Sequence, residues 1–218
     1  MKRFLILSAI LALFLVMACG GGGETGATMA KGEARVVAEF LDDIAKKGDL
    51  NSAFNLLIGE EKAILGEMPG FYDFLTGKED ETVAEEMIYM RTLIQEITPI
   101  PTNVLSYKIG DPVGEGDTMT VPVTFSYPKE DFEQFVRDNM DKELFDRMDN
   151  LDKEDMPLEE KKAVIKKAMA EFRKVVKGKT FEMESTTQEV TIIKNEGKWK
   201  ISLFSTGLMN MFGGAGGF

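Results

Sequence analysis

Hydrophobic residues in this chain recur with two different periods, and the order in which those periods alternate restricts the fold more than any other feature. Up to Ile97 the apolar positions follow the helical spacing of three and four. Val37, Phe40, Leu41 and Ile44 make one stripe within 33–47. Lys46 and Lys47 suit the negative end of that helix, Gly48 suits a left-handed residue after it, and Asp49 suits the N-cap of a second helix over 50–58. Leu50, Ala53, Phe54 and Leu57 form its inward face. Residues 60–65 add a short helical turn, which Met68-Pro69-Gly70 breaks, and Phe71, Tyr72, Phe74 and Leu75 form an aromatic segment. A third helix covers 82–97, with Val83, Met87, Met90, Ile94 and Ile97 on one side and Pro99 and Pro101 stopping it.

After Pro101 the period becomes two. Residues 104–113 and 118–127 read as strands joined by Gly114-Glu115-Gly116-Asp117. Met119, Val121, Val123 and Phe125 alternate with Thr120, Pro122, Thr124 and Ser126, and Pro122, lacking an N–H, marks an edge position or a bulge. Residues 129–178 return to the helical period: Phe132, Phe135, Val136 and Met140, continued by Leu144, Phe145 and Met148. A second arm carries Val164, Ile165, Ala168, Met169, Phe172 and Val176, with Pro157 at its first position and Gly178 closing it. Strands resume over 180–194 and 198–205 around Asn195-Glu196-Gly197. Phe181 and Met183 have the opposite parity to Val190 and Ile192, which predicts a bulge near Thr186 and Thr187. The whole reads as one α+β domain over 33–206. It is a curved antiparallel sheet packed on N-terminal helices, with a helical hairpin (129–178) inserted between strands. Residues 207–218, rich in glycine, read as a disordered tail.

The first residues have a different logic. Lys2 and Arg3 precede an apolar run from Phe4 to Met17, broken only by Ser8. At about 14 residues the run is shorter than the ~20 that a spanning helix needs, so it reads as an export signal over 1–18. Its end, Val16-Met17-Ala18-Cys19, resembles the bacterial lipobox: an aliphatic residue, a tolerant position, a small residue and a cysteine. The resemblance implies a diacylglycerol on the Cys19 thiol, cleavage before Cys19 and acylation of the new amino group. A single chain holds a protein only marginally, with a constant of about 10⁴ M⁻¹, so two or three chains make a lasting anchor. Residues 19–32 then form a Gly-rich flexible tether. Membrane attachment through acyl chains on Cys19, facing the periplasm or exterior, is therefore expected. Gly20, where inner-membrane retention uses aspartate, favours the outer membrane in an organism that has one.

Composition narrows the chemistry. The chain has 26 basic and 37 acidic residues, for a net charge of −11, which becomes −13 once Lys2 and Arg3 are removed. Such a surface argues against nucleic acid and against attraction to anionic lipid. There is no histidine, which removes the commonest general base and zinc ligand along with Ser-His-Asp arrangements. The single cysteine is Cys19, so acylation leaves no disulfide and no thiol nucleophile.

The succession of helix, Gly48-Asp49 step, helix and strands, closing on Asn195-Glu196-Gly197-Lys198-Trp199-Lys200-Ile201, resembles the nuclear-transport-factor-2-like (NTF2-like) superfamily. It is similar in particular to small bacterial lipoproteins that carry an uncharacterised domain of that fold. The resemblance covers 33–57, 104–127 and 179–204, and implies a curved sheet wrapped around helices to form a cone-shaped cavity. Enzymes of the superfamily place Asp, Tyr or His in that cavity, but no local motif for them is visible here, and a fold of this kind hosts enzymes and binding modules alike. No catalytic, cofactor-binding or metal residue is assigned, and no cofactor is expected.

Three residue groups invite a site. Asp141, Glu143, Asp146, Asp149, Asp152, Glu154 and Asp155 crowd the turn of the insertion. A calcium loop starting at Asp149 would place Leu151 and Lys153 at ligand positions, so a solvated face interleaved with Lys142, Arg147 and Lys153 is the better account. Met87/Met90 and Met209/Met211 have the spacing of soft Cu(I) ligands, yet the first pair lies on an apolar stripe and reads as core. Tyr72, Tyr89, Tyr107 and Tyr127 with Trp199 either line a cavity or serve as ordinary core and rim aromatics, the second being favoured. The expectation is a lipid-anchored envelope module without catalytic activity, binding a small apolar ligand or an envelope protein. The alternatives are a carboxylate-dependent isomerase or dehydratase and a structural spacer of the envelope.

Overall fold

The computed structural model describes residues 32–67, 76–77, 85–129, 131–151 and 156–202. The export signal, Cys19, nearly all of the tether, the aromatic segment at 71–75 and the tail lie outside the described residues, as do the side chains of Met87, Tyr89 and Met90.

Helix α1 (Arg35–Asp42) follows a 3₁₀ turn (Gly32–Ala34) and runs on into a π-helical turn (Asp43–Lys47). Its apolar stripe is buried as the spacing predicts. Gly48 ends it at φ 64° and donates its N–H to the Ile44 carbonyl. Asp49 then caps α2 (Leu50–Asn55), accepting from the Ser52 N–H at 2.9 Å. The predicted second helix stops at Asn55, short of 58. Leu57 instead forms a parallel bridge with Ile201, with Ile58 N–H bonded to the Ile201 carbonyl and Ile201 N–H to the Leu56 carbonyl. Helices α3 (Gly59–Gly66) and α4 (Glu85–Ile97) follow before the strands.

The sheet contains β1 (Ser106–Ile109), β2 (Val113–Glu115), β3 (Thr118–Pro128), β4 (Met183–Asn195) and β5 (Lys198–Ile201). It is antiparallel, ordered β1-β3-β4-β5 with β2 also on β3, and curls into half a barrel. The strand predicted over 104–113 is thus two strands, both paired to β3 and separated at Gly110, Asp111 and Pro112. Pro122 explains the break. It lies in the middle of the sheet rather than at an edge, and its carbonyl accepts the Gly110 N–H at 2.8 Å. A residue's N–H and C=O leave a strand on the same side, so the donor that proline lacks is missing where β1 and β2 part.

The predicted bulge at Thr186–Thr187 is absent. The β3–β4 register runs without interruption from Thr118↔Ile193 to Pro128↔Met183. The parity conflict resolves otherwise: Phe181 precedes the strand and packs its ring 5.0 Å from Phe132, while Met183 lies on the opposite face from Val190 and Ile192.

Two apolar clusters result. In the first, Val121, Val123, Phe125, Val190, Ile192 and Ile201 of the sheet pack against Val37, Leu41 and Phe54 of the helices. Full burial of each such side chain contributes about 1.5–3 kcal/mol. The second lies beyond the sheet, where the insertion folds as three helices rather than two: α5 (Asp131–Asn139), α6 (Lys142–Asp149) and α7 (Leu158–Val176), with Pro157 one place before α7 begins. Ile165, Ala168 and Phe172 of α7 meet Leu93, Ile94 and Ile97 of α4. Leu50 packs on both clusters. Arg173 of α7 fastens the two helices by donating to the carbonyls of Glu96 and Thr98 at the end of α4, the second at 2.9 Å.

Candidate functional site

The sheet face that packs on the helices is where the predicted cone would hold a ligand, and there it is occupied by the protein's own side chains. Val121, Val123 and Ile192 are fully buried against the helices. Polar chemistry gathers where α1 meets β1. The π-helical turn sets Asp42 and Asp43 one after the other at the end of α1. The buried Tyr107 of β1 donates its hydroxyl to Asp42 Oδ1, and Lys46 Nζ lies 2.8 Å from the same oxygen and 5.9 Å from the Tyr107 ring centre. Asp43, itself buried, pairs with Lys47 at 2.5 Å. The hydrogen bond that Lys47 donates to Asp43 is the main cause that holds the Lys47 pKa above its ordinary value. Each carboxylate is thus matched to a lysine one turn on, and Tyr107 ties the helix end to the sheet. Glu61 is a second buried carboxylate, accepting from Ser202 Oγ at 2.9 Å.

The aromatics divide between the clusters. Tyr107 and Trp199 belong to the first, whereas Tyr127 packs on the second, where burial and then Glu184 raise its pKa. Tyr72 lies outside the described residues, so the group proposed around a cavity is not assembled among the described ones. In the insertion, Asp141 caps α6 through the Leu144 N–H at 2.9 Å, and its own N–H donates to Glu171. Glu143 and Asp146 border a shallow depression of ≈ 440 Å³ with Lys142, Arg147 and Asn150, and Arg147 pairs with Glu160 at 2.7 Å. Asp152, Glu154 and Asp155, the Asp149 side chain, and Met209 and Met211 lie outside the described residues. Among the described residues no three His, Cys, Asp or Glu side chains group as a metal site would. None of the described helices is long and apolar enough to cross a membrane.

One cluster has no counterpart in the sequence reading. Lys200 Nζ donates to the Asn55 backbone carbonyl at 2.7 Å, and Lys62 Nζ lies 3.4 Å from Asn55 Oδ1. Lys198 shares a face of β5 with Lys200, being two residues away. Burial, then Lys62 and Lys198, hold the Lys200 pKa below its ordinary value. Lys62 is far from the other two in sequence, so no local pattern could have gathered them.

No protein-family model matches the chain, and no curated protein matches it. Among solved structures, the chain is similar to a crystal structure from Bacillus subtilis, that of the candidate lipoprotein ycdA. The two share 14% identity with a TM-score of 0.44, over 78% of this chain and 52% of the other. This chain therefore spans about half the length of the protein it resembles.

Proposed function

We propose that the chain is a lipoprotein of the bacterial cell envelope, held by acyl chains on Cys19, whose NTF2-like domain binds a partner and catalyses nothing. The observation that carries this reading is Val16-Met17-Ala18-Cys19, which places the chain's single cysteine at the end of a short apolar run behind Lys2 and Arg3. The Gly-rich stretch after it supplies reach for a domain held off a bilayer. Packing of the helix-facing side of the sheet by Val121, Val123 and Ile192 supports an envelope protein over a small apolar ligand as the partner. The pairing of Asp42 and Asp43 with Lys46 and Lys47 supports binding over acid–base work, because each carboxylate already has a structural partner within the fold.

Metabolic labelling with an alkyne palmitate analogue, followed by membrane fractionation, tests the anchor. The wild-type chain should take the label and sediment with membranes, and Cys19→Ser should do neither. A labelled or normally processed Cys19→Ser chain overturns the proposal.

A further inference from the structure

We propose that Lys62, Lys198 and Lys200 form a binding site for a phosphate-class oxyanion. The chain carries 37 acidic residues against 26 basic ones, so three lysines gathered at one point run against its overall charge. Lys46, Lys47, Lys129 and Lys162 each pair with a carboxylate, of Asp42, Asp43, Glu182 and Glu159. Lys200 is different: the charged groups that act on it are two further lysines, and burial withdraws part of its hydration. Like charges are drawn together at one point of an acidic protein, and an anion seated among them would relieve that repulsion.

The geometry is built rather than incidental. Asn55 positions two of the three ammonium groups, Lys200 by its backbone carbonyl at 2.7 Å and Lys62 by its side-chain oxygen at 3.4 Å. The Leu57↔Ile201 bridge fixes the end of α2 against β5, and the strand fixes Lys198 beside Lys200. An ammonium has three donors and Lys200 commits one of them to Asn55, so two remain for an oxyanion. Lysine binds phosphate as a point charge, which suits a site made of several ammonium groups around one tetrahedral anion. The same chemistry is offered by free phosphate and by a phospholipid headgroup.

The test uses the full chain in zwitterionic detergent micelles, labelled with ¹³C at lysine Cε. One arm titrates sodium phosphate against sodium chloride of matched ionic strength. The other adds phosphatidylglycerol to the micelles. The signals of Lys62, Lys198 and Lys200 should shift together and saturate. Lys62→Gln and Lys198→Gln, which leave Lys200 on Asn55, should each weaken binding about tenfold. A response to phosphatidylglycerol alone assigns the site to a headgroup, and a response to both assigns it to the phosphate group itself. Shifts that chloride reproduces, or no shift in either arm, overturn the proposal.

Discussion

The side-chain amide of Asn103 donates to the Val176 carbonyl at 2.8 Å, binding the turn before β1 to the last residue of α7. The same nitrogen reaches the Lys179 carbonyl, also at 2.8 Å. Asn103→Ala removes both bonds and should lower stability by about 1–2 kcal/mol. Asn103→Asp should be worse, because a carboxylate has no donor and would face two carbonyl oxygens. Urea unfolding midpoints rank the two variants. An Asp variant as stable as the Ala variant would show that the amide's role here is not donation.

Arg173 places a cation at the C-terminal end of α4, where the helix carbonyls are unpaired and the helix dipole is negative. Arg173→Ala should cost about 2–3 kcal/mol, the loss of charge-assisted hydrogen bonds together with the packing of the side-chain stem. Arg173→Lys should recover only part of this, since one ammonium replaces a planar fork of donors. Thermal unfolding of both variants measures the difference.

Gly110 is required by close approach rather than by backbone angle. A Cβ there would lie 2.8 Å from Pro122 Cγ. Gly110→Ala should therefore destabilise by about 1–3 kcal/mol, the range for overpacking. Pro122→Ala deletes the atom that clashes. The double variant should be more stable than the sum of the single effects predicts, by about 0.5–3 kcal/mol of coupling. Strict additivity in a double-mutant cycle would refute the contact.

Asp49 gives a pH dependence of known sign. The hydroxyl of Ser52, then its N–H, hold the Asp49 carboxyl below its ordinary range, with Lys47 assisting. A carboxyl depressed in the folded state adds stability that is complete above its unfolded pKa, about 3.9, and is lost as pH falls through the folded value. The gap between wild type and Asp49→Ala should be about 1 kcal/mol near neutrality and shrink below about pH 4. Asp49→Asn keeps a cap without a titrating group and should show no such shrinkage. Urea unfolding across pH 2.5–6 follows all three chains.

Features set by neighbours in sequence were legible before the fold. Gly48 and Asp49 announced a helix end and a cap because both depend on a few adjacent residues. The alternation in 119–125 announced the buried face of β3 for the same reason. Pro122 was legible in part: a missing donor had to interrupt a ladder, but only the strand order shows that the interruption falls on the neighbouring strand. Local spacing does not show that residues 56–58 leave the helix, because the partner of Leu57, Ile201, lies far along the chain. The parity of Phe181 is uninformative for a like reason, since an aromatic packed edge-to-face on Phe132 and Phe135 obeys no strand period. The lysines around Asn55 were invisible, because charged residues have no burial period to report where they will meet.

The uninterrupted pairing of β3 with β4 also bears on the order in which the chain assembles. These strands are neighbours in the sheet, yet everything from 129 to 182 lies between their facing ends, Pro128 and Met183. Closing a loop of about 50 residues instead of a tight turn costs about 2 kcal/mol more in chain entropy. That cost falls if α5–α7 collapse on one another first and bring the two ends together. The insertion then acts as a folding template for the sheet, and substitutions within its helical core should slow refolding even though they touch no strand.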